Sequence, residues 1–221
     1  MPSSEGFEYQ GDDPQGMPGG LSLPPWEQRE VYGVLNALYL TIKGVLIAPG
    51  RFFHRMPTGA GLAQPLIFAV VIGTAASFIS WMWTLTGSSL QALVQGDAAQ
   101  AVRAPVVGFI TFLASPLLVA VILTLQAALV HGMLMLVGGN RLGFEATFRV
   151  CAYSEAASVL VLLPFCGSGV GTIWSLVVSI IGLHRIHETE PWRAVVAVLA
   201  PTLLCLAATG GAVMLALAGV R

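Results

Sequence analysis

Between Phe144 and Trp192 the sequence carries two apolar runs joined by a few small residues around Gly167. A helix needs roughly 20 apolar residues to cross a hydrocarbon core of about 30 Å, so the stretch predicts a membrane hairpin. Arg149 stands near the start of the first run and Arg185 near the end of the second, with His184, His187 and Glu188 beside it. Both helices should therefore meet the same face of the membrane. A single carboxylate, Glu155, interrupts the first run.

The rest of the chain must live in the same solvent. Hydrophobic residues make up 56% of the 221 and charged residues 10%, against about 25% charged in soluble domains. A soluble globule of this composition would expose apolar patches well beyond what monomers tolerate. The formal net charge of −1 provides no broad basic field, which argues against nucleic acid as a partner. Cys151, Cys166 and Cys205 lie in apolar runs without metal-ligand spacing, so they read as small hydrophobes, and no cofactor or metal is expected. The first thirty residues lack the basic start and apolar core of a signal peptide, which predicts a tail that stays in the cytoplasm.

Residues 1–25 are rich in Gly, Pro, Ser and acids, a composition that cannot offset its ordering entropy and predicts a disordered tail. Residues 26–58 place Val31, Val34, Leu35, Leu38, Ile42, Val45 and Leu46 on one helical face. Polar interruptions at Glu27, Gln28, Glu30, Asn36 and Lys43 argue against a crossing, so this reads as an interfacial amphipathic helix. Arg51 and Arg55, among aromatics, would anchor it at the headgroups. The remainder, residues 62–219, is a transmembrane domain with crossings expected at about 62–86, 113–137, 146–165, 170–186 and 194–218. Pro116 should kink or break the apolar run that contains it. Gly167 and Gly171 have the four-residue spacing of close helix contact, and packing within the chain is favoured over dimerisation. The expected fold is thus all-α and polytopic: five transmembrane helices plus the N-terminal interfacial helix.

Five crossings with the tail inside put Arg29, Lys43, Arg51, Arg55, Arg141, Arg149, Arg185 and Arg193 on or near the cytoplasmic face, and only Arg103 and Arg221 outside. That asymmetry predicts a cytoplasmic N-terminus and an external C-terminus in the cytoplasmic (inner) membrane.

Two groups of polar residues stand out. Glu155 should lie near mid-membrane, with His131 on the preceding span close enough to meet it and Gln126 further along. Such a set suits a relay for protons or cations, a pocket for a lipid headgroup, or a buried pair that fixes helix register. At the cytoplasmic face, Glu145, Arg149 and Tyr153 recur every four residues, so an ion pair with a tyrosine beside it is available. Arg141, His184, Arg185, His187 and Glu188 complete that cluster. The spacing of His184, His187 and Glu188 would suit metal ligands, but headgroup-level polarity is the favoured reading. No nucleophile elbow, phosphate loop or dinucleotide fingerprint is present in the sequence, so catalysis is not expected.

The order of motifs over residues 30–218 resembles the Yip domain family, the Ypt/Rab-interacting proteins. The resemblance rests on APGRFFHRM before the first span, QPLIFAVVIG opening it, HGMLMLVGG closing the second, and FRVCAYSEA. It continues through Pro164, GSGVGTIWSLVVSIIGLHRIHE and Pro201. It implies a five-span helical fold with a cytosolic N-terminus, and in eukaryotic relatives a role in vesicle traffic through Rab GTPases. Here residues 62–66 read LAQPL where those relatives have Asp-Leu-Tyr-Gly-Pro, and Glu155 follows Tyr153 and Ser154 where they lead toward proline. The chain is more similar to the prokaryotic branch. The expected function is a non-enzymatic membrane scaffold with a protein partner on the cytoplasmic side. The alternative is a small transporter using Glu155 and His131.

Overall fold

A chain in lipid must satisfy its backbone hydrogen bonds internally, and this one does so by coiling. The computed structural model describes residues 22–164 and 166–219, which form helices with no strand among them. The expected disordered tail lies outside the described residues up to position 21.

Four helices are long and apolar enough to cross a membrane. The first is α4 (Ala63–Trp83), which runs through a π-helical turn at Thr84–Ser88 into α5 (Ser89–Val94). The others are α6 (Ala98–Leu136), α8 (Gly167–Ile186) and α9 (Pro191–Gly219), the last through its stretch Pro191–Gly211. The remaining expected crossing is composite. Helix α7 (Gly143–Ser154) passes into an eight-residue 3₁₀ segment, Glu155–Leu162, so the helix type changes at Glu155. Together these two pieces reach roughly 34 Å at 1.5 and 2.0 Å per residue, enough to cross.

Pro116 does not break its helix. Proline leaves the carbonyl four residues earlier without its usual donor. That carbonyl belongs to Phe112, and the Ser115 hydroxyl donates to it at 2.7 Å. The segment before Pro116 is continuous with the crossing and passes Pro105 as well. At about 58 Å, α6 exceeds the hydrocarbon thickness and carries a long extension beyond it. The Trp81 ring packs against Phe78, Phe109 and Phe112 there, and its Nε1–H donates to the Pro105 carbonyl at 3.1 Å.

The amphipathic region is several pieces rather than one helix. A 3₁₀ turn (Pro25–Gln28) leads into α1 (Arg29–Tyr32), α2 (Val34–Ile47) and α3 (Pro49–His54). Gly33 takes φ +74° between α1 and α2, a conformation that side chains other than glycine adopt at a cost. Because of that turn the opening residues fold back: the Trp26 N–H donates to Thr41 Oγ1 at 2.9 Å. Trp26 is buried against Phe68 of α4, with its Nε1–H on the Gln64 carbonyl. Pro49 opens α3, where its missing N–H would have no helical partner anyway.

Glycines set the closest contacts. A Cβ on Gly167 would fall 2.1 Å from the Leu160 carbonyl oxygen, and one on Gly171 would fall 2.9 Å from that of Ala157. The small-residue spacing therefore serves packing within the chain, with α8 lying backbone to backbone on the 3₁₀ segment. Gly167→Ala should lower stability by about 1–3 kcal/mol through overpacking, read as a fall in detergent-solubilised Tm. Gly210→Ala, where a Cβ meets nothing within 4 Å, should leave Tm nearly unchanged.

Candidate functional site

Helix α7 is short but its final nine residues are all buried, so its polar side chains must find partners inside the protein. Arg149 is fully buried; its Nη2 donates to Glu27 Oε1 at 2.5 Å and its Nη1 to the Gly61 carbonyl at 3.1 Å. The Tyr153 hydroxyl donates to the same Glu27 oxygen. Glu27–Arg149 is the ion pair found among the described residues, with both side chains removed from solvent. Phe52 and Phe68 flank the Tyr153 ring, closing the site against water.

The expected ion pair with a tyrosine beside it is therefore present, but its acid is Glu27 and not Glu145. Glu145 accepts the Gly59 and Gly61 N–H groups at 2.9 Å each, which pins the loop between α3 and α4. Arg149 holds that loop from the other side through the Gly61 carbonyl. Once backbone donors claim the Glu145 carboxylate, the helical neighbour has no acid on its own helix. An acid 122 positions away supplies the charge. The local spacing rule missed Glu27 because the decisive contact is tertiary; its one sequence signal was an acid next to an anchoring tryptophan.

Histidines form a second network at the same end of the bundle. His187 caps α8 and is buried, and its Nδ1 accepts from the backbone N–H groups of Arg141 and Leu142 at 3.3 Å each. An accepting Nδ1 fixes the proton on Nε2. That nitrogen can then donate to Thr147 Oγ1 at 3.1 Å, leaving the threonine hydroxyl to donate to His131 Nδ1 at 3.0 Å. Burial, with His131 as a secondary cause, pushes the His187 pKa down from its ordinary 6.5 to about 4.

His131 and Glu155 are not brought together by hydrogen bonding. His131 bonds Thr147, whereas Glu155 accepts from Ser158 Oγ at 2.9 Å within its own segment. Depth explains the separation. Because α7 begins at Gly143, Glu155 sits about 18 Å along it, while His131 is only about 8 Å from the end of α6. Gln126 is exposed on the outer surface of α6, away from either.

The prospective ligand trio also diverges. His184 Nδ1 lies 2.6 Å from the Thr189 carbonyl, His187 turns toward Thr147, and Glu188 is exposed with φ +47°, outside helical geometry. No group of three or more His, Cys, Asp or Glu side chains converges as a metal site among the described residues. Arg141 and Arg185 both have exposed side chains.

The Yip1 domain matches residues 43–212, so the chain belongs to the Yip1 domain family and is a multi-pass membrane protein in contact with lipid. Comparisons with curated proteins and with solved structures gave no match. Glu27, the partner of Arg149, lies outside the matched residues.

Two outcomes follow for stability. Glu27→Gln leaves the Arg149 charge buried without its counter-ion and should cost roughly 3–5 kcal/mol, measured as lost Tm in detergent. For His187, whose folded pKa lies below its ordinary value, the contribution is complete above about pH 6.5 and is lost as pH falls toward about 4. A plot of Tm against pH should show that decline in the native chain and a shallower one in His187→Gln.

Proposed function

We propose that this Yip1-family protein is a non-enzymatic scaffold of the cytoplasmic membrane, with its N-terminus in the cytoplasm and its C-terminus outside. A protein partner docks on its cytoplasmic end. The observation that carries this reading is that the buried charged and histidine side chains there are bonded to one another or to backbone, with Arg149 Nε left without a partner. Glu27, Arg149 and Tyr153 bind each other, Glu145 binds a loop backbone, and His187, Thr147 and His131 form a hydrogen-bonded chain. Groups so committed hold elements in place and offer no free acid, base or nucleophile to a substrate. Around them Arg141, Arg185 and Glu188 are exposed and available to a partner.

A second reading, transport, rests on Glu155. This half-buried carboxylate stands where α7 changes to 3₁₀ geometry, a change that often marks a hinge, and an intramembrane acid is a common element of proton or ion pathways.

Cross-linking in intact cells followed by capture of the full chain is expected to recover a specific protein partner. Its recovery should drop when residues 1–25 are removed and persist in Glu155→Gln. Proton, ion or lipid flux in reconstituted vesicles that disappears in Glu155→Gln would overturn the scaffold reading in favour of transport. Reporter fusions should place residue 1 and Arg221 on opposite sides of the membrane.

A further inference from the structure

Three arginines are gathered where α3 meets the last turn of α8. Helix α3 packs on α8 through Phe53, which is buried, and a Cβ on Gly182 would come within 3.0 Å of its ring. Arg51 and Arg55 are one turn apart on the side of α3 opposite Phe53, and both are exposed. Gly50 faces α8 instead: a Cβ there would come within 3.6 Å of Arg185 Nε. Arg185 thus reaches the first turn of α3 at Gly50, the residue before Arg51, and Arg185 too is exposed.

None of the three makes an ion pair among the described residues, where Glu27–Arg149 is the pair present. The nearest acid in sequence, Glu188, leaves the helix at φ +47° and does not reach within ion-pair distance of Arg185. The acids that could have neutralised this corner, Glu27 and Glu145, are committed elsewhere.

The neighbouring surface indicates what supplies the missing negative charge. Helix α2 runs directly into α3 and exposes Leu35, Tyr39 and Ile47, large apolar side chains suited to acyl chains. Lys43 extends from the same helix, with its amine 6.0 Å from the Tyr39 ring centre. An apolar face ending in unpaired arginines matches a lipid, whose tails meet the first and whose headgroup meets the second. Guanidinium groups suit phosphate in particular, since they present paired donors to its oxygens.

We propose that Arg51, Arg55 and Arg185 bind the phosphate of an anionic membrane lipid, with the exposed face of α2 against its acyl chains. This goes beyond the scaffold reading and requires no protein partner.

The test uses the full chain in neutral detergent, titrated with dihexanoyl phosphatidylglycerol, dihexanoyl phosphatidylcholine or inorganic phosphate, with Tm shift and lipid retention in native mass spectrometry as readouts. The anionic lipid should bind about tenfold more tightly than the zwitterionic one at low salt, with the preference shrinking as salt rises. The combined Arg51→Gln, Arg55→Gln, Arg185→Gln variant should lose the preference, and Arg51→Gln or Arg185→Gln alone should weaken it about threefold. Arg103→Gln, on the distant part of α6, should keep it. Equal binding of the two lipids, an undiminished preference in the combined and single variants, or the same Tm shift from inorganic phosphate would each overturn the proposal.

Discussion

The arrangement at the end of the bundle that holds α7 and the opening segment depends on one buried charge. Arg149 cannot be left unpaired inside a helical bundle, because the cost of stripping water from a guanidinium is several kcal/mol unless an anion and further acceptors replace it. The chain meets that requirement with Glu27 and the Gly61 carbonyl. Doing so draws the opening segment, the α3–α4 loop and α7 to a single point. Tyr153 joins from one turn further along α7, and its ring lets Phe52 and Phe68 seal the assembly. The N-terminal helical pieces are thus bound to the crossing helices by electrostatics as well as by packing.

The same accounting of polar groups governs the membrane interior, where the answers are smaller. A serine hydroxyl supplies the donor that Pro116 removes, so a residue expected to break α6 leaves it continuous. Tryptophan N–H groups end on backbone carbonyls, Trp81 on Pro105 and Trp83 on Val161. Where a nearby partner is found, long apolar helices tolerate prolines and polar side chains at positions a simple propensity rule would exclude; the buried Thr74 hydroxyl of α4 is left without one.

What sequence reveals here follows the range of the interaction. The crossings could be read because hydrophobic length is a local property, and the family because its motifs follow a fixed order. Gly167 and Gly171 were legible for the same reason, their spacing being confined to one helix. The site was legible only in outline: Arg149 and Tyr153 were found from four-residue spacing, but that rule assigned them Glu145. It could not know that two glycine N–H groups had a stronger hold on that carboxylate. Likewise Glu155 and His131 seemed close because both were polar and deep. Their separation depended on where α7 starts, and a shift of three residues in a helix boundary moves a side chain by almost a full turn.

The contact between α8 and the 3₁₀ segment has a geometric consequence of its own. Gly171 lies against Ala157 and Gly167 against Leu160, so a step of four residues on one side faces a step of three on the other. Four residues of α-helix advance about 6.0 Å, and three residues of 3₁₀ helix advance about the same distance. The two antiparallel backbones therefore share a common repeat, although neither has the other's pitch. Were residues 155–162 to rewind as α-helix, three residues would span only about 4.5 Å and the second glycine would no longer find its carbonyl. The glycine spacing on α8 thus acts as a ruler that selects the helix type of its neighbour, and with it the direction in which the residues after Glu155 point.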